Sequence, residues 1–393
     1  MNGLHIRIST KIVDICIAFA VAIQSPLILL QQVLVDIVGM NAEETTKYRV
    51  VLTAIPMIIA IILGYNRKKK IFIIIYSLFL ILLLYNIVVF PQNSEYLLYE
   101  AVRFTLPVVI PSCLCLLCLS DMQVFEDVLY YISWITFCLA LYYVLGITFG
   151  GIMFNGYNMS FSYGLLLPML SLYSRKNSYS IIASLLLFIF VIALGSRGAA
   201  VFFTLYVIVD IILFNRKYLI FIILAIVSII FLIPLFINKL DELGISSRTL
   251  ILLLSGDFDQ DSGRSEIFDL VINPLMKNPI LGIGLWGDRY YIDGFYCHNI
   301  ILEVCLNFGI VLGSFLILYI FVFFLKTYFR SNAENKMVLL KYLIACVLPL
   351  MLSNSYLVAP NFGIFLGVLY SIRNCNVYKQ TLKYKKICKD IYL

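Results

Sequence analysis

The sequence predicts an all-α integral membrane protein that crosses the bilayer about 12 times, and two observations predict this fold class. Of the 393 residues, 62% are hydrophobic and only 13% are charged, whereas soluble domains are about half apolar and about a quarter charged. The apolar residues also form long runs without the alternation of strands. Such runs cross lipid as helices, because a helix pairs its own backbone groups. A water-soluble fold is therefore excluded.

Each membrane span requires about 20 mostly apolar residues. The candidate spans are 12–38, 50–65, 71–90, 104–120, 128–149, 157–173, 179–195, 198–214, 218–237, 299–325, 342–358 and 360–372. Only Pro360 and Asn361 mark the junction of the last two, which form either two spans or one broken element. We treat residues 1–393 as a single polytopic membrane domain, since nothing separates a second one.

The net charge of +7 comes from basic clusters between the apolar runs. With twelve spans these clusters all lie on the side of the N-terminus: 66–70, 174–177, 215–217, 326–341 and the tail 373–393. Basic loops mark the cytoplasmic face, so both termini are predicted to be cytoplasmic. This placement also explains the positive charge without nucleic acid, which we do not expect as a partner.

One long hydrophilic segment, 238–297, follows the ninth span and is predicted to lie on the outer side. It contains nine acidic and five basic residues, a net charge of −4 that is opposite in sign to the whole chain. Long loops are usually functional when the rest of a chain is compact. Apolar periodicity over 267–276 predicts a helix lying across the membrane surface within this loop.

His298 is one of only two histidines, and it lies where the outer loop meets the tenth span. Its ordinary pKa near 6.5 suits proton transfer at neutral pH. The alternative is an interfacial polar residue at the start of a helix.

Arginines on the outer side suit phosphate binding, because the guanidinium fork can pair with two oxyanions. Arg197 lies between Gly195 and Gly198 at a polar break between two apolar runs, and its alternative role is to snorkel to lipid head groups. With Arg248 and Arg264 of the loop it would form a cationic site for a diphosphate, although each of those two alone is more commonly a solvated charge.

The residue spacing predicts no metal and no cofactor. Cys115 and Cys118 have the CxxC spacing but lie within a span, where free cysteines behave as small hydrophobes. The alternating acidic residues of 257–261 begin like a calcium-binding loop. That pattern fails because Ser262 stands where the loop requires glycine and Phe268 where it requires glutamate.

Three strings in this order resemble the O-antigen ligase and O-antigen polymerase (Wzy-type) superfamily. They are SGR at 262–264, NPILGIG at 278–284 and HNIILEVCLNFGIVLG at 298–313. Upstream, the string GSRGA around Arg197 is similar to the arginine motif of that family, and 155–164 to its polar turn. The resemblance covers about residues 130–370 by the order of these strings.

The resemblance implies a GT-C-like glycosyltransferase that works without a nucleotide sugar on the outer face of the bacterial inner membrane. It implies an undecaprenyl-diphosphate-linked oligosaccharide as donor, whose diphosphate Arg197, Arg264 and Arg248 would hold. His298 would accept the proton of the attacking hydroxyl, and direct displacement would invert the anomeric carbon. No metal or cofactor is implied.

The resemblance also names supporting residues and partners. Asn299, Asn158 and Glu303 are candidate supporting residues of the same site. A repeat-unit polymerase, working with a flippase and a chain-length regulator, is favoured because the chain is rich in Ile and Phe and carries no extra domain. A ligase, which transfers glycan to a lipid A core or another acceptor, shares this layout.

A flippase or exporter of lipid-linked glycans is the alternative from another functional class, and a scaffold is a third. A transporter would place charged or broken segments at mid-membrane depth. The ionisable residues here gather at the outer ends of the spans, which favours surface chemistry.

Overall fold

The computed structural model describes residues 9–149, 159–194, 197–214 and 264–374, and every regular element in these ranges is a helix. The ninth predicted span, the part of the predicted outer loop up to residue 263, Asn158 and Arg248 lie outside the described residues. We number the described helices in chain order. They are α1 (Thr10–Ala22), α2 (Gln24–Asp36), α3 (Ala42–Val89), α4 (Ser94–Glu100), α5 (Ile110–Leu117), α6 (Met122–Phe149), α7 (Met159–Ser174), α8 (Ser178–Leu194), α9 (Arg197–Phe214), α10 (Arg264–Lys277), α11 (Gly287–Tyr291), α12 (Ile300–Arg330), α13 (Ala333–Tyr342) and α14 (360–374).

Helices occur at the positions of the predicted spans within the described ranges, and the all-α prediction is confirmed there. The predicted span 342–358 is helical only up to Met351, and turns follow it before α14 begins. Five helical segments of these ranges are long and apolar enough to cross a membrane: Thr10–Asp36, Ala42–Val89, Pro91–Leu117, Met122–Gly146 and Ile300–Arg330. Their exposed faces carry large apolar residues, such as Val88 and Val311, a pattern suited to lipid. The number of membrane crossings stays a prediction.

Several predicted spans are interrupted rather than straight. A turn at Ile23 divides the first span into α1 and α2, and a π-helical stretch, Ala101–Val109, joins α4 to α5 and contains Pro107. The basic loop predicted at 66–70 is reduced to one non-helical residue, Lys68 (φ −140°, ψ 31°), inside α3. Each of the two arms of α3 still has the length that a span requires, about 20 residues.

α7 is the centre of the bundle. Nearly every side chain from Phe161 to Tyr173 is buried, and α7 packs against α2, α6, α8 and α9. A helix that is apolar all round is expected to be buried on all sides. α7 is therefore enclosed by its neighbours.

Ion pairs join three of the five basic clusters to acidic residues at the starts of α1 and α6. Asp14 of α1 accepts from Arg67 and from the backbone of Ser120. Asp127 accepts from Arg175, and Glu126 accepts from Lys341. These three clusters therefore meet acidic residues at one end of the bundle, and their cytoplasmic placement stays a prediction.

Candidate functional site

The segment 264–299 folds as a compact unit against α12. The helix predicted over 267–276 is present as α10. Val271 and Leu275 of α10 pack with Ile283, Cys297 and Leu306 in a small apolar core. The opposite side of this segment exposes apolar side chains: Leu270, Met276, Ile280 and Leu281. Such an exposed apolar surface fits a segment that lies on a membrane.

Two glycines, Gly309 of α12 and Gly282 of the segment, lie at the contact between the segment and a break in α12. Gly309 has φ 79° and ψ 166°, which interrupts the helix within the predicted tenth span. The backbone groups that the break releases are bonded by the segment: Ile310 N–H donates to Pro279 O (2.7 Å) and Ile283 N–H donates to Leu306 O (2.7 Å). A Cβ atom on Gly309 would lie 2.0 Å from Ile280 O. The NPILGIG and NFGIVLG strings are therefore two halves of one backbone contact.

The same segment is held from the other side by two asparagines of α3 and its following turn. Asn86 Oδ1 accepts from Leu285 N–H (2.6 Å), and Asn93 Nδ2 donates to Ile283 O (2.8 Å). Both asparagines are buried, so these bonds satisfy polar groups that burial would otherwise penalise. The backbone of 283–285 is thus fixed on both sides.

A buried ionic cluster lies beside the start of α12. The Arg289 guanidinium, which is 0% exposed, donates to Asp288 (2.7 Å), Glu303 (3.0 Å) and Glu100 (3.3 Å). Burial by itself lowers the pKa of Arg289, but these three carboxylates outweigh it and hold that pKa well above its usual range. Glu303 also accepts from the Ser355 hydroxyl and from Tyr356 N–H (3.3 Å). The cluster therefore ties four separate parts of the chain together.

His298 is positioned by this cluster through its neighbours. Asp288 accepts from Cys297 N–H (3.2 Å), immediately before His298. Asn299 caps α12 by accepting from the N–H groups of Ile301 and Leu302 (3.0 and 3.1 Å). His298 itself has φ 55°, a left-handed conformation that costs about 1–2 kcal/mol. Constrained on both sides, its ring lies 4.5 Å from the Tyr296 ring, between centroids.

Tyr296 forms part of the wall of a polar cavity of about 190 Å³ inside the bundle. The Arg289 guanidinium also lies 5.7 Å from the Tyr296 ring centroid. Burial raises the pKa of the Tyr296 phenol, so this phenol stays protonated at neutral pH. The polar side chains in the wall are Gln24, Ser25, Arg49, Tyr163, Tyr296, Ser353, Asn354 and Asn361.

The start of α9 contacts the cavity wall from outside. A Cβ atom on Gly198 would lie only 2.3 Å from the hydroxyl of Tyr163, a wall residue. The first turn of α9, which begins at Arg197, therefore packs against Tyr163. α10 begins at Arg264. The side chains of Arg197 and Arg264 lie outside what the structure describes, as do Arg248 and Asn158, so their predicted contacts stay predictions.

An apolar groove of about 350 Å³ runs along α12 on the side of α13 and α14. It extends from Ile300, next to the Asn299 cap, to Phe324, and its wall is apolar apart from the ring of Tyr356. Ile300 follows His298 by two residues, so one end of the groove lies close to the histidine along the chain. The arrangement can therefore accommodate a long apolar chain whose polar end lies near His298.

Sequence reasoning identified His298, Asn299 and Glu303 but missed their supports, Glu100, Arg289 and Asn86. A single acidic residue in an apolar run was the available signal for Glu100, because such a charge requires a partner. In the described ranges no group of His, Cys, Asp and Glu is arranged to hold a metal ion. Arg289 instead supplies the positive charge between the carboxylates.

Comparison with known proteins gives one finding. The model of the family described as O-antigen ligase matches residues 182–317, from α8 to the middle of α12. The match includes the arginine motif, the 264–299 segment and His298. No curated protein and no solved structure matches the chain.

Proposed function

We propose that the chain is a repeat-unit polymerase. The premise is its membership of the O-antigen polymerase and ligase superfamily, which the family match over residues 182–317 supports. Members of this superfamily act on lipid-linked glycans in membranes. It joins undecaprenyl-diphosphate-linked glycans into O-antigen or capsular polysaccharide on the outer face of the inner membrane. The observation that carries the proposal is that His298 lies in the chain between Tyr296, which lines the cavity, and Ile300, which lines the apolar groove.

The reaction forms one glycosidic bond and breaks one bond to phosphate. The acceptor hydroxyl oxygen attacks the anomeric carbon of the donor, and His298 accepts the proton of that hydroxyl. The bond from this carbon to the phosphate oxygen breaks, and undecaprenyl diphosphate leaves with the electron pair. Attack opposite the leaving group inverts the anomeric centre and requires no metal.

The cations of the family motifs stabilise the leaving group. Arg197, Arg264 and Arg248 hold the diphosphate and offset the charge that develops on it. Asn158 contacts the sugar, while Asn299 and Glu303 act through position. Asn299 caps the helix that follows His298, and Glu303 holds Arg289 and Tyr356 N–H in the ionic cluster. The isoprenoid tail lies in the groove along α12 and the glycan in the cavity.

A ligase is the second candidate, because the matching family is described as O-antigen ligase. It would use the same donor chemistry with a lipid A core or another acceptor. The acceptor alone distinguishes the two activities, so the test must follow the fate of the glycan.

The test is to delete the protein and separate the surface glycans by size. Loss of the ladder with one repeat unit retained supports a polymerase. A full ladder that remains on its lipid carrier supports a ligase. Failure of any lipid-linked sugar to reach the outer face would contradict both and indicate a flippase.

A further inference from the structure

Arg49 lies on the inward face of α3. The side chains that follow it at helical spacing, Thr53, Met57 and Ala60, are 6%, 0% and 0% exposed. Its neighbour Tyr48 lies on the other face and is 55% exposed. A stripe at this spacing faces the interior of a bundle, so the Arg49 guanidinium points to the cavity and does not snorkel to lipid head groups.

The Arg49 guanidinium makes no hydrogen bond and no ion pair with any residue of the described ranges. Among the other partly or fully buried arginines of the described ranges, Arg67, Arg175 and Arg289 each donate to a carboxylate. Arg103 donates to the Tyr99 hydroxyl, and Arg373, at the end of α14, has no carboxylate partner in these ranges. A cation inside a membrane protein is costly without a partner and commonly marks a functional site. The partner of Arg49 is therefore to be sought in the cavity that it lines.

The polar part of the described cavity wall has the chemistry of a glycan site. It includes the amides of Asn354 and Asn361 and the rings of Tyr163 and Tyr296, while the remainder of the wall is mostly apolar. Amides bond sugar hydroxyls and aromatic rings pack against sugar faces, but neither compensates a positive charge. The ligand that satisfies this wall carries hydroxyl groups and at least one anionic group.

We propose that Arg49 binds a phosphate group of the lipid-linked glycan. The proposal deepens the proposed function and rests on it for the identity of the substrate. A planar guanidinium can take two oxygens of one phosphate, and the described residues of the wall include no carboxylate that would compete for it. Arg49 thereby adds a cation from the N-terminal third of the chain, outside residues 182–317 that the family model matches.

The test measures binding of radiolabelled inorganic pyrophosphate to the full chain in phosphatidylcholine nanodiscs. We expect Arg49→Gln to weaken binding about tenfold or more, the scale of a lost charge-assisted bond, and Arg49→Lys to weaken it less. Lys47→Gln is the matched control, because Lys47 is an exposed cation on the same helix that pairs with Glu43 (2.8 Å). Wild-type affinity in Arg49→Gln would overturn the proposal.

Two further arms separate the source of the phosphate and the fate of the proposed function. The affinity for pyrophosphate should be the same in phosphatidylglycerol nanodiscs. If phosphatidylglycerol competes with pyrophosphate in the wild type but not in Arg49→Gln, Arg49 binds a phospholipid head group. That result would overturn the substrate assignment. Normal glycan ladders in cells with Arg49→Gln, but none with His298→Ala, would overturn only the role of Arg49. Pyrophosphate binding through Arg49 in a chain that transfers no glycan would overturn only the proposed function.

Because Arg49 has no described partner, Arg49→Gln should unfold at the wild-type temperature, so lost binding would not reflect misfolding.

Discussion

At the scale of single residues, the site depends on charges that compensate one another over long distances in sequence. Arg289 and Glu100 are separated by 189 positions and meet at 3.3 Å. Glu303 and Ser355 lie 52 positions apart. The sequence predicts His298 as a proton acceptor from its residue type and its place at a span end. The pairings that position it depend on tertiary packing, which no local pattern encodes.

Arg289→Met should destabilise the protein by about 3–5 kcal/mol, because it leaves three carboxylates buried without their cation. The measurement is the thermal unfolding temperature in detergent. Lys277→Met is the control, since Lys277 lies exposed in the same segment and its removal should leave the unfolding temperature unchanged. Equal unfolding temperatures for both variants would show that the cluster contributes nothing to stability.

At the scale of elements, apolar runs predicted the helices well and their interruptions poorly. The run 299–325 was predicted as one straight span, but Gly309 divides α12 into a short arm from Ile300 and a longer arm to Arg330. The broken backbone is tolerated because Pro279 and Ile283 bond the released groups. That compensation comes from a separate segment, so hydropathy alone could not reveal it. The same limit explains why 66–70 was predicted as a loop.

Gly309→Ala should destabilise the protein more than Gly39→Ala. Both glycines have positive φ, 79° and 77°, so both substitutions strain the backbone, and the ψ of 166° at Gly309 lies in a region that is adopted almost only by glycine. At Gly309 the new Cβ would also meet another atom, Ile280 O, whereas nothing lies within 4 Å of that position at Gly39. Thermal unfolding of the two variants compares the glycine at the contact between the 264–299 segment and α12 with a glycine in open space. Equal losses would mean that this contact is loose.

At the scale of the whole molecule, charged residues separate to two ends of the bundle. Arg67 pairs with Asp14 at one end. Arg49 lies on the same arm of α3, roughly 27 Å from Arg67 by helical rise. It lines the cavity together with Tyr296. The positive-inside rule predicts which end is cytoplasmic. The family strings could be recognised from the sequence. The cavity that Arg49 lines together with Tyr296 could be found only from the three-dimensional structure.

Cysteine labelling tests this polarity. Lys277→Cys in the 264–299 segment and Glu334→Cys in α13 place thiols at exposed positions on the two predicted sides. In intact spheroplasts a membrane-impermeant maleimide should add label at position 277 above the wild-type background. Position 334 should gain label only after permeabilisation. The reverse pattern would put His298 in the cytoplasm and end the proposed function.

The central claim is that His298 accepts the proton when one lipid-linked glycan attacks another. The most direct measurement uses purified protein in nanodiscs with its lipid-linked repeat units and follows both polymer length and release of undecaprenyl diphosphate. The account predicts that the wild type and His5→Ala, which alters the other histidine, form polymer and release carrier together, while His298→Ala keeps its fold and does neither. Polymer formation by His298→Ala at the wild-type rate would contradict the account.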